Sequence, residues 1–255
     1  MKAILLHVHR DAGQDDRLNV AIDLARLVSG RIRCVQIAAD MAEADREHDR
    51  LARHAIESSL RRAATVWDWR CCDGSAAVRL IEHSQLADIV VTSQAQRPEL
   101  TPDLAIISDL VMHGRAPVMV VPAGCRRFEA HGAAVLAWNG SAAAAQAMRQ
   151  AVPLLRRAAC VHIVEVSGGG PGVPASEAAL YLARYGATTE VHEWPAKNRS
   201  PSAALAHAVA ELDARYLVMG AFGRRTGLGQ LGDHPAHGVT RDLIETSTVP
   251  LLMTH

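Results

Sequence analysis

The chain repeats one pattern twice, and this repeat is the strongest constraint on its fold. Ala3–His9 aligns with Ala133–Asn139, and Ala87–Ser93 aligns with Ala214–Gly220. Each repeat spans roughly half of the 255 residues. Within each, short apolar runs without polar alternation are followed by segments with helical periodicity. Such runs are typical of buried parallel strands, and their alternation with helices predicts an α/β fold.

Two tandem domains follow from the repeat. The sequence predicts two doubly wound, five-stranded parallel sheets, one in a domain 1–124 and one in a domain 131–255. The polar, turn-rich segment Pro122–Gly132 joins them. Ligands of such sheets bind at the carboxyl ends of the strands, where the strand order reverses. We therefore expect a site at the ends of the first and fourth strands of a repeat.

Composition excludes several classes of function. The 27 basic and 27 acidic residues leave no basic surplus, so no nucleic-acid partner is expected. The five cysteines are odd in number and form no C-x-x-C motif, which favours a reduced, cytoplasmic protein. The N-terminal apolar run is too short for a signal peptide. No stretch approaches the roughly 18 apolar residues of a membrane span, so no membrane partner is expected.

A glycine-rich loop near the C-terminus is the main candidate for ligand binding. The apolar run Tyr216–Met219 is followed by Gly220, Gly223 and a loop up to Gly238, and then by a helical pattern, Val239–Thr246. Such a loop lets backbone N–H groups approach an anion, toward which the next helix points its positive end. The glycine spacing matches neither the Rossmann fingerprint nor the Walker loop.

In context, this stretch resembles the end of a universal stress protein domain. The resemblance rests on VMGAFG, GVTRDL and the closing VPLLM, and on VLAWNGSAAAAQAMRQAVPLLRRA at the start of the second repeat. Members that bind ATP carry Gly-x-x-Gly, a nine-residue spacer, and Gly followed by a small residue. Here fourteen residues separate Gly223 from Gly238.

The resemblance implies a tandem bacterial universal stress protein with the Rossmann-like, adenine nucleotide alpha-hydrolase-like fold. It implies a cytoplasmic stress-response regulator rather than an enzyme, with ATP or another adenine nucleotide, together with Mg²⁺, as its cofactor. In single-domain members two copies pair through their last strands. The halves of this chain are therefore expected to form that pseudo-dimer internally, through Pro117–Val121 and Val249–Met253, and a further homodimer is compatible with this arrangement.

The resemblance also places the candidate nucleotide site in the second repeat. An Asp faces the adenine in nucleotide-binding members, and Asn139 stands at that position, where the alternative is that it only caps the following helix. Ala137 and Trp138 flank the base, unless Trp138 is simply core. The alternative for the glycines of this site is that they only permit tight turns. The phosphate side would consist of backbone and side-chain groups of Gly220, Gly223, Arg224, Gly238, Val239 and Thr240.

The first repeat lacks these features. His9 replaces Asn139, and Ser93 replaces Gly220. Gln96 and Ala105–Ile106 stand where the other glycines are, so no glycine pair remains for close backbone approach. The sequence therefore predicts that this half binds no nucleotide and acts as a scaffold or dimerisation partner.

Neither a metal site nor a catalytic site is predicted. His234 and His237, with Asp233, lie in the long loop, and His7 and His9 share a strand face, but neither set has a third and fourth ligand at convincing spacing.

No nucleophile elbow or H-E-x-x-H motif is present. Three functional hypotheses remain: a nucleotide-binding regulator, a nucleotide-free interaction module whose loop Arg224–Gly238 fills the pocket, and a slow nucleotide hydrolase.

Overall fold

The computed structural model describes residues 1–38, 43–94, 102–166, 172–221 and 238–255. The chain forms two compact units: the first comprises Met1–Gln94 and Ala105–Phe128, and the second contains Glu129–His255. Among the described helices, none has the length and apolar character needed to cross a membrane.

The first unit alternates strands and helices throughout. Its strands are β1 (Ala3–Val8), β2 (Arg31–Ala38), β3 (Val66–Asp73), β4 (Ile89–Ser93) and β5 (Val118–Val121). Its helices are α1 (Gln14–Val28), α2 (Glu43–Arg62), α3 (Ala76–Ser84) and α4 (Pro102–His113). The strands lie in the order β3-β2-β1-β4-β5, and every described pairing is parallel.

The second unit repeats this layout. Its strands are β6 (Ala133–Ala137), β7 (Val161–Val166), β8 (Thr189–Trp194), β9 (Ala214–Gly220) and β10 (Leu251–Thr254). Its helices are α5 (Ala142–Leu155), α6 (Ala175–Ala183), α7 (Pro201–Glu211) and α8 (Val239–Thr246). The order β8-β7-β6-β9-β10 is again wholly parallel. The predicted fold class is confirmed: α8 has the predicted bounds Val239–Thr246, and the predicted apolar run Tyr216–Met219 lies within β9.

Position within the sheet explains the residue pattern of each strand. Every residue of β4 and β5 is buried, as expected for strands covered by helices on both faces. In contrast, β3 and β8, which begin the strand orders of the two units, keep exposed residues. Burial of each apolar side chain contributes about 1.5–3 kcal/mol, so the inner strands hold most of the core.

Local capping fixes where the helices that border the second sheet begin. Ser141 Oγ accepts a hydrogen bond of 3.2 Å from Ala144 N at the start of α5. Ser200 Oγ does the same for Ala203 N at the start of α7, where Pro201 occupies the first turn. Each cap satisfies one of the N–H groups that a helix leaves unpaired in its first turn. The second unit therefore presents helix N-termini of defined position at the carboxyl edge of its sheet.

Candidate functional site

The strand order reverses beside β6 in the second unit, as predicted. The chain leaves β6 for β7 on one side and returns through α7 to β9 on the other, so that Leu136 pairs with Val218. The first unit has the same arrangement, with Leu6 of β1 paired with Val91 of β4. Open α/β sheets bind ligands in the crevice at such a reversal, outside the carboxyl ends of the strands.

Three predicted residues follow the end of β6. Ala137 is half-buried at the last position of the strand. The side chain of Trp138 is buried, and its Nε1–H donates a hydrogen bond of 2.8 Å to the carbonyl of Val173. The Trp138 ring is therefore part of the core, which was the alternative to a role in flanking the base. A ring buried in this way is not placed to stack on a base. Only the backbone of this residue remains as a candidate contact.

Asn139 is exposed, and it shapes the turn that leads into α5. Its Oδ1 accepts a hydrogen bond of 3.1 Å from Ser141 N, while Ser141 itself is the N-cap of the helix. Asn139 is thus a turn residue rather than the cap. In the described part of the chain its side-chain NH₂ group makes no hydrogen bond, and this group is a donor that can face a ligand.

A contact between two glycines, which the sequence analysis did not identify, covers one side of this turn. Gly140 has a φ of +71°, and its carbonyl accepts a hydrogen bond of 3.1 Å from Val173 N. A Cβ on Gly172 would lie 2.5 Å from the Gly140 oxygen. Both positions therefore require glycine, one for its dihedral angle and one for space. Their separation in sequence hides this contact until the fold is known.

Gly220 brings the end of β9 against the start of α5. A Cβ at this position would lie 2.5 Å from the carbonyl carbon of Ala143 and from the nitrogen of Ala144. Gly220 is thus required because the backbone of α5 leaves no room for a Cβ. This requirement is stricter than that of a turn, where glycine only makes an unusual dihedral angle easier. The contact places the end of β9 beside the N-terminal turn of α5.

Gly238, Val239 and Thr240 form the N-terminal turn of α8. Gly238 has a φ of +124° and, having no side chain, gives the helix no side-chain cap. Asp242 in the first turn accepts a hydrogen bond of 2.8 Å from Ser202 Oγ, which ties α8 to α7. A helix that follows a parallel strand directs its N-terminus, with the positive end of its dipole, to the carboxyl edge of the sheet.

Gly223 and Arg224, the remaining predicted site residues, lie outside the described residues, as do His234 and His237 of the same loop. Gln96 of the first repeat also lies outside them. Their proposed roles stay predictions.

In the first unit, a buried arginine occupies the equivalent edge of the sheet. The Arg17 side chain is only 1% exposed. Its Nε donates to the His7 carbonyl at 2.8 Å, and a terminal nitrogen donates to the His9 carbonyl. The other terminal nitrogen donates to Asp11 at 2.6 Å and to Ser93 Oγ at 2.5 Å. The guanidinium therefore bonds the end of β1 and the end of β4 at once.

The second unit has no such group at the equivalent position. The offset that aligns Ala3–His9 with Ala133–Asn139 is 130 residues, because 133 − 3 = 130. The same offset places Ala147 opposite Arg17 (17 + 130 = 147). A methyl group thus replaces a long cation at this position. No sequence motif marks Arg17 as functional, since an arginine in an amphipathic helix is usually solvated.

The first unit also has a close contact between the end of β4 and the start of α1. Ser93 stands where the second unit has Gly220, but a Cβ on Gly13 would lie 2.5 Å from Ser93 Oγ. Gly13 corresponds to Ala143 by the same offset (13 + 130 = 143). The prediction that this repeat keeps no glycine pair for close backbone approach to a ligand concerns a different contact and stays a prediction. In this strand–helix contact the first unit has its glycine just before the helix, and the second has it at the end of the strand.

Burial beside this arginine changes the acid–base behaviour of His7. Burial, followed by the positive charges of Arg17 and His9, lowers the pKa of His7 to about 3. His7 is therefore neutral near pH 7. A neutral His7 adds no second positive charge beside the Arg17 guanidinium.

The similarity search against solved structures supports one fold over the whole chain. A universal stress protein from Archaeoglobus fulgidus matches with a TM-score of 0.75 at 16% identity, covering 99% of this chain and 95% of that one. The chain has the universal stress protein fold. A proposed universal stress protein from Pseudomonas aeruginosa UCBPP-PA14 matches with a TM-score of 0.61 at 17% identity, covering 100% of this chain and 93% of that one.

A protein of unknown function from Pseudomonas aeruginosa PAO1 has a similar score, 0.62 at 17% identity, covering 100% of this chain and 92% of its own. No protein-family model and no curated protein matches the sequence. The universal stress protein fold predicted from the sequence resemblance is thus confirmed by structures of tandem length. At these identities the likeness extends to the fold.

Proposed function

We propose that this chain is a tandem universal stress protein, a cytoplasmic regulatory protein of the bacterial stress response. Its second unit binds one adenine nucleotide at the carboxyl edge of the sheet, and its first unit binds none. The regulatory assignment rests on the fold and on the sequence motifs that carry the resemblance.

The observation that carries the nucleotide proposal is the difference between the two units at equivalent positions. In the first unit Arg17 bonds the ends of β1 and β4 directly, so its buried side chain lies where these two strand ends meet. In the second unit Ala147 leaves the ends of β6 and β9 without that cation. We infer that this arginine blocks a ligand site in the first unit. The second unit has no such side chain at the corresponding position.

The groups around the second crevice suit the parts of a nucleotide. The side-chain NH₂ group of Asn139 is a donor for a ring nitrogen or carbonyl of a base. The α8 turn at Gly238, Val239 and Thr240 directs a helix N-terminus toward the same edge, which favours phosphate. Gly223 and Arg224 complete the proposed phosphate side, with Mg²⁺ accompanying a triphosphate.

The test is nucleotide content followed by affinity. The purified chain is denatured, and released AMP, ADP or ATP is identified by chromatography. Apo protein is then titrated calorimetrically with ATP and Mg²⁺. The proposal expects one site per chain, lost in Gly223→Val. Asn139→Ala should weaken binding about tenfold, the effect of one hydrogen bond of ~1.4 kcal/mol.

His9→Ala is the matched control, because His9 aligns with Asn139 in the unit whose strand ends Arg17 bonds. Its affinity should equal that of the wild type. No released nucleotide and no heat at millimolar ATP would contradict the proposal and favour the interaction-module hypothesis. Two sites per chain would contradict the assignment of the first unit.

Turnover is a separate question, answered by following phosphate release from ATP under the same conditions. The proposal expects none above the rate of the Gly223→Val variant. The pairing of the halves through Pro117–Val121 and Val249–Met253 stays a prediction from the resemblance, as does a homodimer.

A further inference from the structure

Four potential metal ligands lie together on one face of β7 and β8, away from the proposed nucleotide site. His162 lies in β7, directly opposite Glu190 in β8, and Val164 is opposite His192. Cys160 precedes β7. Side chains two residues apart on a strand share one face of the sheet. Cys160 and His162 therefore face the same way, as do Glu190 and His192.

Ligand atoms of Cys160, His162 and Glu190 lie within 4.8 Å of one another, and His192 lies beside two of them. His162 Nδ1 lies 3.0 Å from His192 Nε2, 3.4 Å from Glu190 Oε2 and 3.9 Å from Cys160 Sγ. His192 Nε2 lies 3.6 Å from Glu190 Oε2. Tetrahedral Zn²⁺ with bonds of roughly 2.0–2.3 Å holds its ligand atoms ~3.3–3.8 Å apart. The observed separations bracket this range.

The cluster is also reachable from solvent. The side chains of His162 and His192 are 11% and 25% exposed, and that of Glu190 is 60% exposed. Cys160 is half-buried. Among the residues that the structure describes, the only group of three or more His, Cys, Asp or Glu ligands close enough to hold one ion is Cys160, His162 and Glu190.

The first unit shows that the fold itself does not require these residues. The strand registers give the equivalent positions: His7 pairs with Val35 and Ala137 with Val164, so Cys160 corresponds to Arg31 and His162 to Arg33. Arg33 pairs with Asp68, as His162 pairs with Glu190, and Asp68 forms ion pairs with Arg31, Arg33 and Arg70. The same strand pair is thus built there from residues that bind no metal. The four potential ligands therefore occur only in the second unit of the described chain. They lie close together although they come from two different segments of it.

The chemistry of the donors selects the metal. Thiolate and imidazole together suit borderline or soft ions such as Zn²⁺, whereas Mg²⁺ and Ca²⁺ take oxygen donors. We propose that Cys160, His162, Glu190 and His192 form a Zn²⁺ site that joins β7 to β8, the strand that begins this unit's strand order. Four protein ligands make it a closed, structural site rather than a catalytic one.

Cobalt substitution tests the site directly. Chelator-treated protein without an affinity tag is titrated with Co²⁺, and the visible spectrum is recorded. The proposal expects one equivalent, intense tetrahedral d–d bands, and a thiolate-to-cobalt charge-transfer band that Zn²⁺ abolishes. Cys160→Ser should remove the charge-transfer band. His192→Ala should weaken Zn²⁺ binding at least about tenfold, measured by competition with a chromophoric chelator.

Matched controls separate this site from other metal ligands in the chain. Cys71→Ser changes an exposed cysteine of the first unit, and His234→Ala changes a histidine of the long loop. Both should leave the spectrum and the affinity unchanged. Far-UV circular dichroism verifies the fold of each variant, and Glu190→Gln gives a milder second change within the site.

Two outcomes overturn the proposal. One is a Co²⁺ spectrum without the thiolate band, or binding that Cys160→Ser, His192→Ala and Glu190→Gln all leave intact. The other is loss of binding in the His234→Ala control, which would assign the metal to the loop. With the site confirmed, Zn²⁺ should raise the Tm of the wild type and not that of His192→Ala.

Discussion

Replacing Arg17 with alanine should be among the most destabilising single changes available in the first unit. The guanidinium donates to the His7 and His9 carbonyls, to Asp11, to Ser93 and to the side chain of Gln14. His7 and Ser93 are buried, so their acceptors would lose a donor that water cannot easily replace. The other partners lie nearer to solvent.

The magnitude follows from those two buried acceptors. Each buried polar group left unpaired costs about 1–3 kcal/mol, so two of them cost roughly 2–6 kcal/mol. Removal of one partner from a buried ion pair costs about 3–5 kcal/mol in general. We therefore expect Arg17→Ala to lower the free energy of unfolding by about 3–5 kcal/mol, a large part of the total stability of most domains.

The assay is equilibrium unfolding in urea. A Trp138→Phe, Trp194→Phe background confines the tryptophan fluorescence to Trp67 and Trp69 of the first unit, so that the signal follows the unit that was changed. Circular dichroism on the same samples tests whether the transition is two-state, which the free-energy analysis requires.

Two further variants calibrate the result. Arg17→Lys keeps the charge beside Asp11 but loses the planar fork of donors, so we expect a smaller loss. Arg61→Ala removes an arginine whose side chain is 60% exposed and paired with Glu57, and should cost less than about 1 kcal/mol. A loss below ~1 kcal/mol for Arg17→Ala as well would refute the view that its buried hydrogen bonds hold the strand ends together.

Two other predictions concern the same edge of each sheet. Because the pKa of His7 is about 3 and that of an unfolded histidine is about 6.5, the unfolded chain binds more protons between these values. Unfolding free energy should therefore fall with decreasing pH, by at most ~1.4 kcal/mol per pH unit from this group, and His7→Leu should remove that contribution in urea titrations at pH 7 and pH 4.5. Gly220→Ala should destabilise the second unit by about 1–3 kcal/mol, because its Cβ meets the Ala143 backbone. A calorimetric Tm equal to that of the wild type would show that the contact relaxes freely.

The fold could be predicted because its signals are local and occur twice. Apolar runs such as Ile89–Ser93 need no partner to be recognised as strands, and the repeat fixes their order. Strand ends differ where tertiary pairing overrides composition: the residue pattern predicts a strand Val66–Arg70, but β3 continues to Asp73 because its last residues still pair with β2.

The candidate site was predictable only in outline. The backbone positions Asn139, Gly220 and Gly238 follow from strand and helix ends, which the sequence pattern predicts. The burial of Trp138 depends on a carbonyl 35 residues away, and the function of Arg17 depends on contacts to two strands. The metal cluster depends on the register between β7 and β8. Pairwise geometry of this kind is fixed by the folded chain and leaves no local pattern.

The exchanged glycine has a consequence for how such folds are recognised. Strand end and helix start approach so closely that one side of the contact must lack a Cβ, but either side will serve: the second unit uses Gly220 and the first uses Gly13. The constraint belongs to a pair of positions and not to a single column of an alignment. A sequence motif that requires glycine at the strand end therefore does not detect the first unit. That unit meets the same requirement with a glycine about eighty positions before the strand end (93 − 13 = 80).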